Sequence, residues 1–117
     1  MVFGDDRHGE VTVISVNLSR ATVEKAASFK NYLTKVIEGG ANKIIIDLSQ
    51  CDFIDSTFLG ALVASLKRVV QMNGDLRLVW NSATQSEIFY LTRMDKVFKI
   101  FNELDDAIES FKQRRSN

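Results

Sequence analysis

The stretch Lys43-Ile44-Ile45-Ile46-Asp47-Leu48 decides the fold. Apolar and β-branched side chains occupy consecutive positions, so both faces of an extended chain need cover, as in a strand at the centre of a parallel or mixed sheet. A polar connection, Ser49-Gln50-Cys51-Asp52, leads into Phe53-Ile54-Asp55-Ser56-Thr57-Phe58-Leu59-Gly60, which runs directly into an apolar-periodic segment. Asp55, Ser56 and Thr57 are three successive residues of the kind that caps helix N-termini. Ser56 is therefore expected at the positive end of a helix dipole, in a loop outside the carboxyl end of a central strand. Such loops carry function more often than core positions do.

Outward from this stretch, strands and helices alternate. Val2-Phe3 reads as a short edge strand, Asp5 to Gly9 as a turn, and Val11 to Val16 as a β-prone strand making a hairpin with the first. A first helix is predicted from near Thr22 to the C-cap signal Gly39-Gly40, with Ala26, Phe29, Leu33, Val36 and Ile37 on one face. Asn73-Gly74 ends the second helix, and Asp75 to Trp80 is a strand with Leu76, Leu78 and Trp80 alternating. Thr84-Gln85-Ser86-Glu87 has capping-box spacing before Ile88, Phe89 and Leu91, predicting a short helix. Val97 to Phe101 reads as a last strand, and Asn102 as the cap of a terminal helix with Leu104, Ala107, Ile108 and Phe111 inward. The pattern is α/β: a single domain with a mixed, mostly parallel sheet of four to five strands and about four helices. Its core spans about residues 10–112, flanked by a strand and turn at 1–9 and a basic end at 112–117.

Composition narrows the function. A chain of 117 residues, 45% hydrophobic and 26% charged, is long and apolar enough for one folded domain. Its 15 basic and 15 acidic side chains cancel, which argues against a counterion-releasing nucleic-acid surface; Lys112, Arg114 and Arg115 read as a solvated helix end. Cys51 is alone, so it forms neither an intramolecular disulfide nor a cysteine zinc cluster, and reads as a small half-buried residue. The single histidine, His8, stands in a turn composition rather than beside a nucleophile. Ser56 thus lacks a histidine partner, and neither a nucleophile elbow nor a glycine-rich phosphate loop is present. Asp52 and Asp55 are the carboxylates nearest to Ser56; a metal or acid–base role is open to them, but solvation or capping is their ordinary use. No catalytic residue, metal ligand or cofactor is assigned. Without a signal pattern or a membrane-length apolar run, the expected location is the cytoplasm and no membrane insertion is foreseen.

The run Asp55-Ser56-Thr57-Phe58-Leu59-Gly60 after an apolar strand resembles the STAS domain of bacterial anti-sigma factor antagonists, which has Asp-Ser-Ser/Thr-Gly-Leu-Gly opening a helix. The likeness in element order extends from the strand near Val11 to Phe111. Phe58 departs from the family's glycine, and Val16-Asn17-Leu18-Ser19 stands where members often have Gly-Glu-Leu-Asp. The resemblance implies a phosphoprotein in a partner-switching cascade of signal transduction and transcription regulation. An anti-sigma factor that is a serine kinase of the histidine-kinase-type ATPase fold binds the unmodified domain, phosphorylates Ser56 (Thr57 is the second choice) and releases it. A phosphatase resets the switch, and the domain acts as a monomer or weak dimer. Two other classes stay open: a STAS-like cytoplasmic subunit of a membrane transport complex, not phosphorylated, and an enzyme.

On the second helix, Leu59, Leu62, Val63, Leu66, Val69 and Val70 form an apolar stripe expected to face the core. Gly60, Ala64, Lys67 and Gln71 fall opposite, where small residues let another backbone approach. Phe58 lies at the stripe's margin near Ala61, Ser65 and Met72, and reads as an exposed anchor; packing beneath the loop is the alternative. The expected partner-binding set is Asp55, Ser56, Thr57, Phe58, Gly60, Ala64 and Lys67. The hydroxyl of Ser56 is also a candidate for capping the helix.

Overall fold

The computed structural model describes residues 2–80 and 91–112. A five-stranded sheet runs in the order β1 (Phe3–His8), β2 (Val11–Val16), β4 (Lys43–Asp47), β6 (Asp75–Val79), β7 (Ile100–Phe101). β1 is antiparallel to β2, and all other neighbours are parallel. Two short strands, β3 (Arg20–Ala21) and β5 (Phe53–Ile54), pair in parallel as a separate ribbon. The α-helices described are α1 (Val23–Glu38), α2 (Ser56–Gln71) and α3 (Leu104–Lys112). This is the α/β architecture expected, with β4 as the middle strand.

Both faces of β4 are covered because side chains alternate across the pleat. Ile44 and Ile46 join Ile14, Leu76, Leu78, Phe29, Leu33 and Leu62 in the core beneath α1 and α2. Ile45 points the other way, joining Val11, Val13, Val79, Ala107 and Ile108 beneath α3. Arg77 pins that last helix to the sheet. Its Nε donates to Asp75 Oδ2 at 2.9 Å, its Nη1 donates to Ser110 Oγ at 2.7 Å, and the guanidinium lies 3.9 Å from the Phe111 ring centroid.

Both long helices end in Schellman motifs. In α1 the N–H of Gly40, at φ +108, donates to Ile37 O at 2.9 Å. In α2 the N–H groups of Asn73 (φ +64) and Gly74 donate to Val70 O and Val69 O, each at 3.0 Å. Gly74 has a second reason to be glycine: a Cβ there would stand 2.0 Å from Asn42 O, the acceptor of the Asp75 N–H that starts β6.

Several boundaries differ from expectation. Asp5 to His8 continue β1, and the turn is only Gly9-Glu10, because alternation along β1 is hidden by charged residues on an edge strand. His8 accordingly lies on a strand, beside Asp6 at 3.0 Å. The last strand is shorter than Val97 to Phe101: a 3₁₀ turn over Met94–Lys96 still receives the N–H groups of Val97 and Phe98 at Met94 O. The terminal helix begins at Leu104, after Glu103 rather than directly after Asn102, and Ala107 N–H donates to Glu103 O. Cys51 is buried rather than half-buried, at 4% exposure. The capping box at Thr84–Glu87, its helix and the basic end beyond Lys112 lie outside the described residues.

Candidate functional site

The β3–β5 ribbon creates the corner that holds the site. The N–H groups of Asp52 and Phe53 donate to Ser19 O at 2.7 and 3.2 Å, and Asp55 N–H donates to Ala21 O at 3.0 Å. Zippered in this way, the two chains leave the ribbon side by side and each starts a helix. Thr22 is the N-cap of α1, yet its side chain makes no capping bond.

Asp55 caps both helices. Its Oδ1 accepts from Phe58 N–H at 2.8 Å, within α2, and its Oδ2 accepts from Val23 N–H at 2.8 Å, the first residue of α1. One carboxylate thus satisfies an orphan donor on each of two helix ends and lies at the positive end of both dipoles. With one backbone N–H donor on each oxygen, the Asp55 carboxylate ties the starts of the two helices together.

This corrects the role considered for Ser56 as a cap. Ser56 is the first residue of α2, exposed, and the capping is done by Asp55 one residue earlier. Among the described residues the Ser56 hydroxyl has no protein hydrogen-bond partner. Thr57 is exposed beside it. Gly60, Ala64 and Lys67 are exposed along the same side of α2. Ser56, Gly60 and Ala64 recur every four residues, so they form one row leading away from the corner.

Phe58 does not belong to that surface. It is 0% exposed, and its ring centroid lies 4.9 Å from that of Phe29 on α1. The exposed-anchor reading is therefore wrong and the packed alternative right. The helical wheel places Phe58 at the margin of the sheet-facing stripe, but α1 covers that margin. The same neighbour explains why Ala61 and Ser65 are buried while Val70, counted in the stripe, is 53% exposed. Ser65 meets burial by donating its hydroxyl to Ala61 O at 2.8 Å.

Cys51, two residues before Phe53, is held as a thiol. Burial first, then the nearby carboxylates of Asp47 and Asp52, push its pKa up to about 12. Asp52 is exposed, and among the described residues no group of three or more metal-binding side chains converges. No helix among them is long and apolar enough to cross a membrane.

Two features of the corner escaped prediction: the double cap, and the exposed pair of Arg20 and Phe53, whose guanidinium and ring centroid are 4.4 Å apart. A carboxylate two helices share leaves no mark in local sequence, since Val23 and Asp55 are 32 residues apart.

Known proteins resemble this chain over nearly its whole length. The STAS domain model matches residues 6–107. A protein of Thermotoga neapolitana, provisionally named an anti-sigma factor antagonist homologue, is 30% identical over 106 residues, 90% of this chain and 94% of that one. The anti-sigma-F factor antagonist RsfB of Mycobacterium tuberculosis is 28% identical over 101 residues, covering 86% and 81%. The crystal structure of a provisionally named anti-sigma factor antagonist from Thermotoga maritima aligns with a TM-score of 0.84 at 28% identity, covering 92% of each chain.

Proposed function

Because this chain belongs to the STAS domain family, we propose that it is an anti-sigma factor antagonist switched by phosphorylation of Ser56. The unmodified domain binds an anti-sigma factor that is also a serine kinase of the histidine-kinase-type ATPase fold. Transfer of phosphate to Ser56 releases the domain, and a phosphatase resets it. The domain is a cytoplasmic binding module, a monomer or weak dimer, and not an enzyme. Asp55, Ser56, Thr57, Gly60, Ala64 and Lys67 form the docking surface, with Phe58 supporting it from beneath.

The observation that carries this reading is the division of labour between Asp55 and Ser56. Since Asp55 supplies the capping bonds, the Ser56 hydroxyl is exposed and unengaged at a helix N-terminus. Modifying it leaves the capping bonds of both helices in place. A phosphate adds roughly −1.5 to −2 charges at pH 7, beside a carboxylate that is already there. The helix end accommodates that charge, whereas a partner packed on the corner must bury it or meet it with its own surface. The fold persists and docking is lost.

The test is a pull-down with the wild-type chain and Ser56→Asp, followed by incubation of the captured kinase with the wild-type chain and ATP and phosphopeptide mapping. Phosphate on Ser56, absent in Ser56→Ala, supports the reading. A captured kinase that modifies only another residue sinks the assignment.

A further inference from the structure

At the Ser56 corner, the β3–β5 ribbon exposes an aromatic ring and the first residue of α1 exposes an aliphatic side chain. Phe53 is 41% and Val23 60% exposed, although large apolar side chains are mostly inside this domain. Arg20, cross-strand from Phe53, lays its guanidinium over the ring at 4.4 Å. Among the described residues no carboxylate lies within salt-bridge distance of Arg20, although Asp52 and Glu24 are exposed on the neighbouring segments. The cation is thus steered by an aromatic face and left without an anion.

We propose that Phe53, Val23 and Arg20 are the anchoring half of the docking surface, and that they take a partner face with an apolar pocket bordered by an Asp or Glu carboxylate. This rests on the reading of the Ser56 corner as the docking site and names the chemistry of the partner there. Stacking restrains both side chains before contact, so little rotamer freedom remains to be lost on docking. An aromatic residue paired with arginine is the composition in which interface energy concentrates. The guanidinium selects a carboxylate through two parallel N–H donors, and water excluded by Phe53 and Val23 strengthens that contact. The corner therefore discriminates by charge among partners of similar shape.

The experiment places the photo-crosslinking analogue p-benzoylphenylalanine in the full chain, at position 53 in one variant and at position 57 in another, within the native host. Crosslinked proteins are identified by mass spectrometry. Both positions are expected to capture the same protein, with a peptide containing Asp or Glu attached at position 53. With that protein purified, Phe53→Ala is expected to weaken binding about 30-fold. Arg20→Glu is expected to weaken it at least about 10-fold and to flatten the salt dependence. Both variants are checked by urea melts, and Phe53→Leu keeps a strand-forming side chain should alanine loosen the ribbon. Capture from position 57 alone, or of a different protein from position 53, overturns this proposal and leaves the Ser56 reading standing. Capture from neither position overturns both. Binding unchanged in Phe53→Leu and Arg20→Glu also overturns it.

Discussion

Replacing Asp55 removes one acceptor from each of two helices, and the structure allows the two losses to be measured separately. The bond to Phe58 N–H is an ordinary N-cap, whose truncation to alanine costs about 1 kcal/mol. The bond to Val23 N–H has the same 2.8 Å length and joins α1 to α2. Val23 is exposed, so water replaces part of that bond and its loss is worth about 1 kcal/mol, the low end for an abandoned donor. Asp55→Ala is therefore expected to destabilise by about 2 kcal/mol. Asp55→Asn keeps one carbonyl oxygen for the cap and is expected to lose about 1 kcal/mol. The donor itself can be deleted, because Val23 is the first residue of α1, where proline is tolerated, and Thr22 before it is extended at φ −129 and ψ −177. In a urea-denaturation cycle, Val23→Pro should cost about 1 kcal/mol more in the wild-type background than beside Asp55→Asn. Coupling below about 0.3 kcal/mol, within the scatter of independent sites, would refute the claim that the shared carboxylate ties the helices energetically.

Phe58→Ala should cost about 3–5 kcal/mol in the same melts, through a cavity and a lost aromatic contact with Phe29; a loss under about 1 kcal/mol would contradict its burial. Ser56→Ala should change stability by less than about 0.5 kcal/mol, since its hydroxyl does not cap; a cost near that of a lost N-cap would return the capping role to Ser56. Cys51 should react with iodoacetamide at pH 8 far more slowly in the native protein than in urea, and equal rates would count against its burial. The folded state raises the thiol pKa from 9.0 to about 12, so it favours the protonated form. Its contribution to stability is complete below pH 9 and lost as pH rises toward 12; Cys51→Ala should remove that part of the alkaline destabilisation in pH-dependent melts.

Sequence alone determined what depends on short-range periodicity and terminal chemistry. Ile44 to Ile46 require cover on both faces whatever the neighbours are, so β4 was legible as a central strand. Gly39-Gly40 and Asn73-Gly74 were legible as the ends of the long helices because local caps and positive-φ residues act within a single turn. The motif Asp55–Gly60 located the corner for the same reason. Tertiary structure decided which side of each element meets another. The sheet and α1 together set the buried arc of α2, which takes in Phe58 and Ser65 and leaves out Val70. The β3–β5 ribbon brings Val23 N–H to Asp55 from 32 residues away, so the carboxylate that caps α2 locally also caps α1. The ribbon also sets Arg20 on Phe53. Contacts of this kind depend on where two distant segments cross, and neither segment encodes that position in its own periodicity.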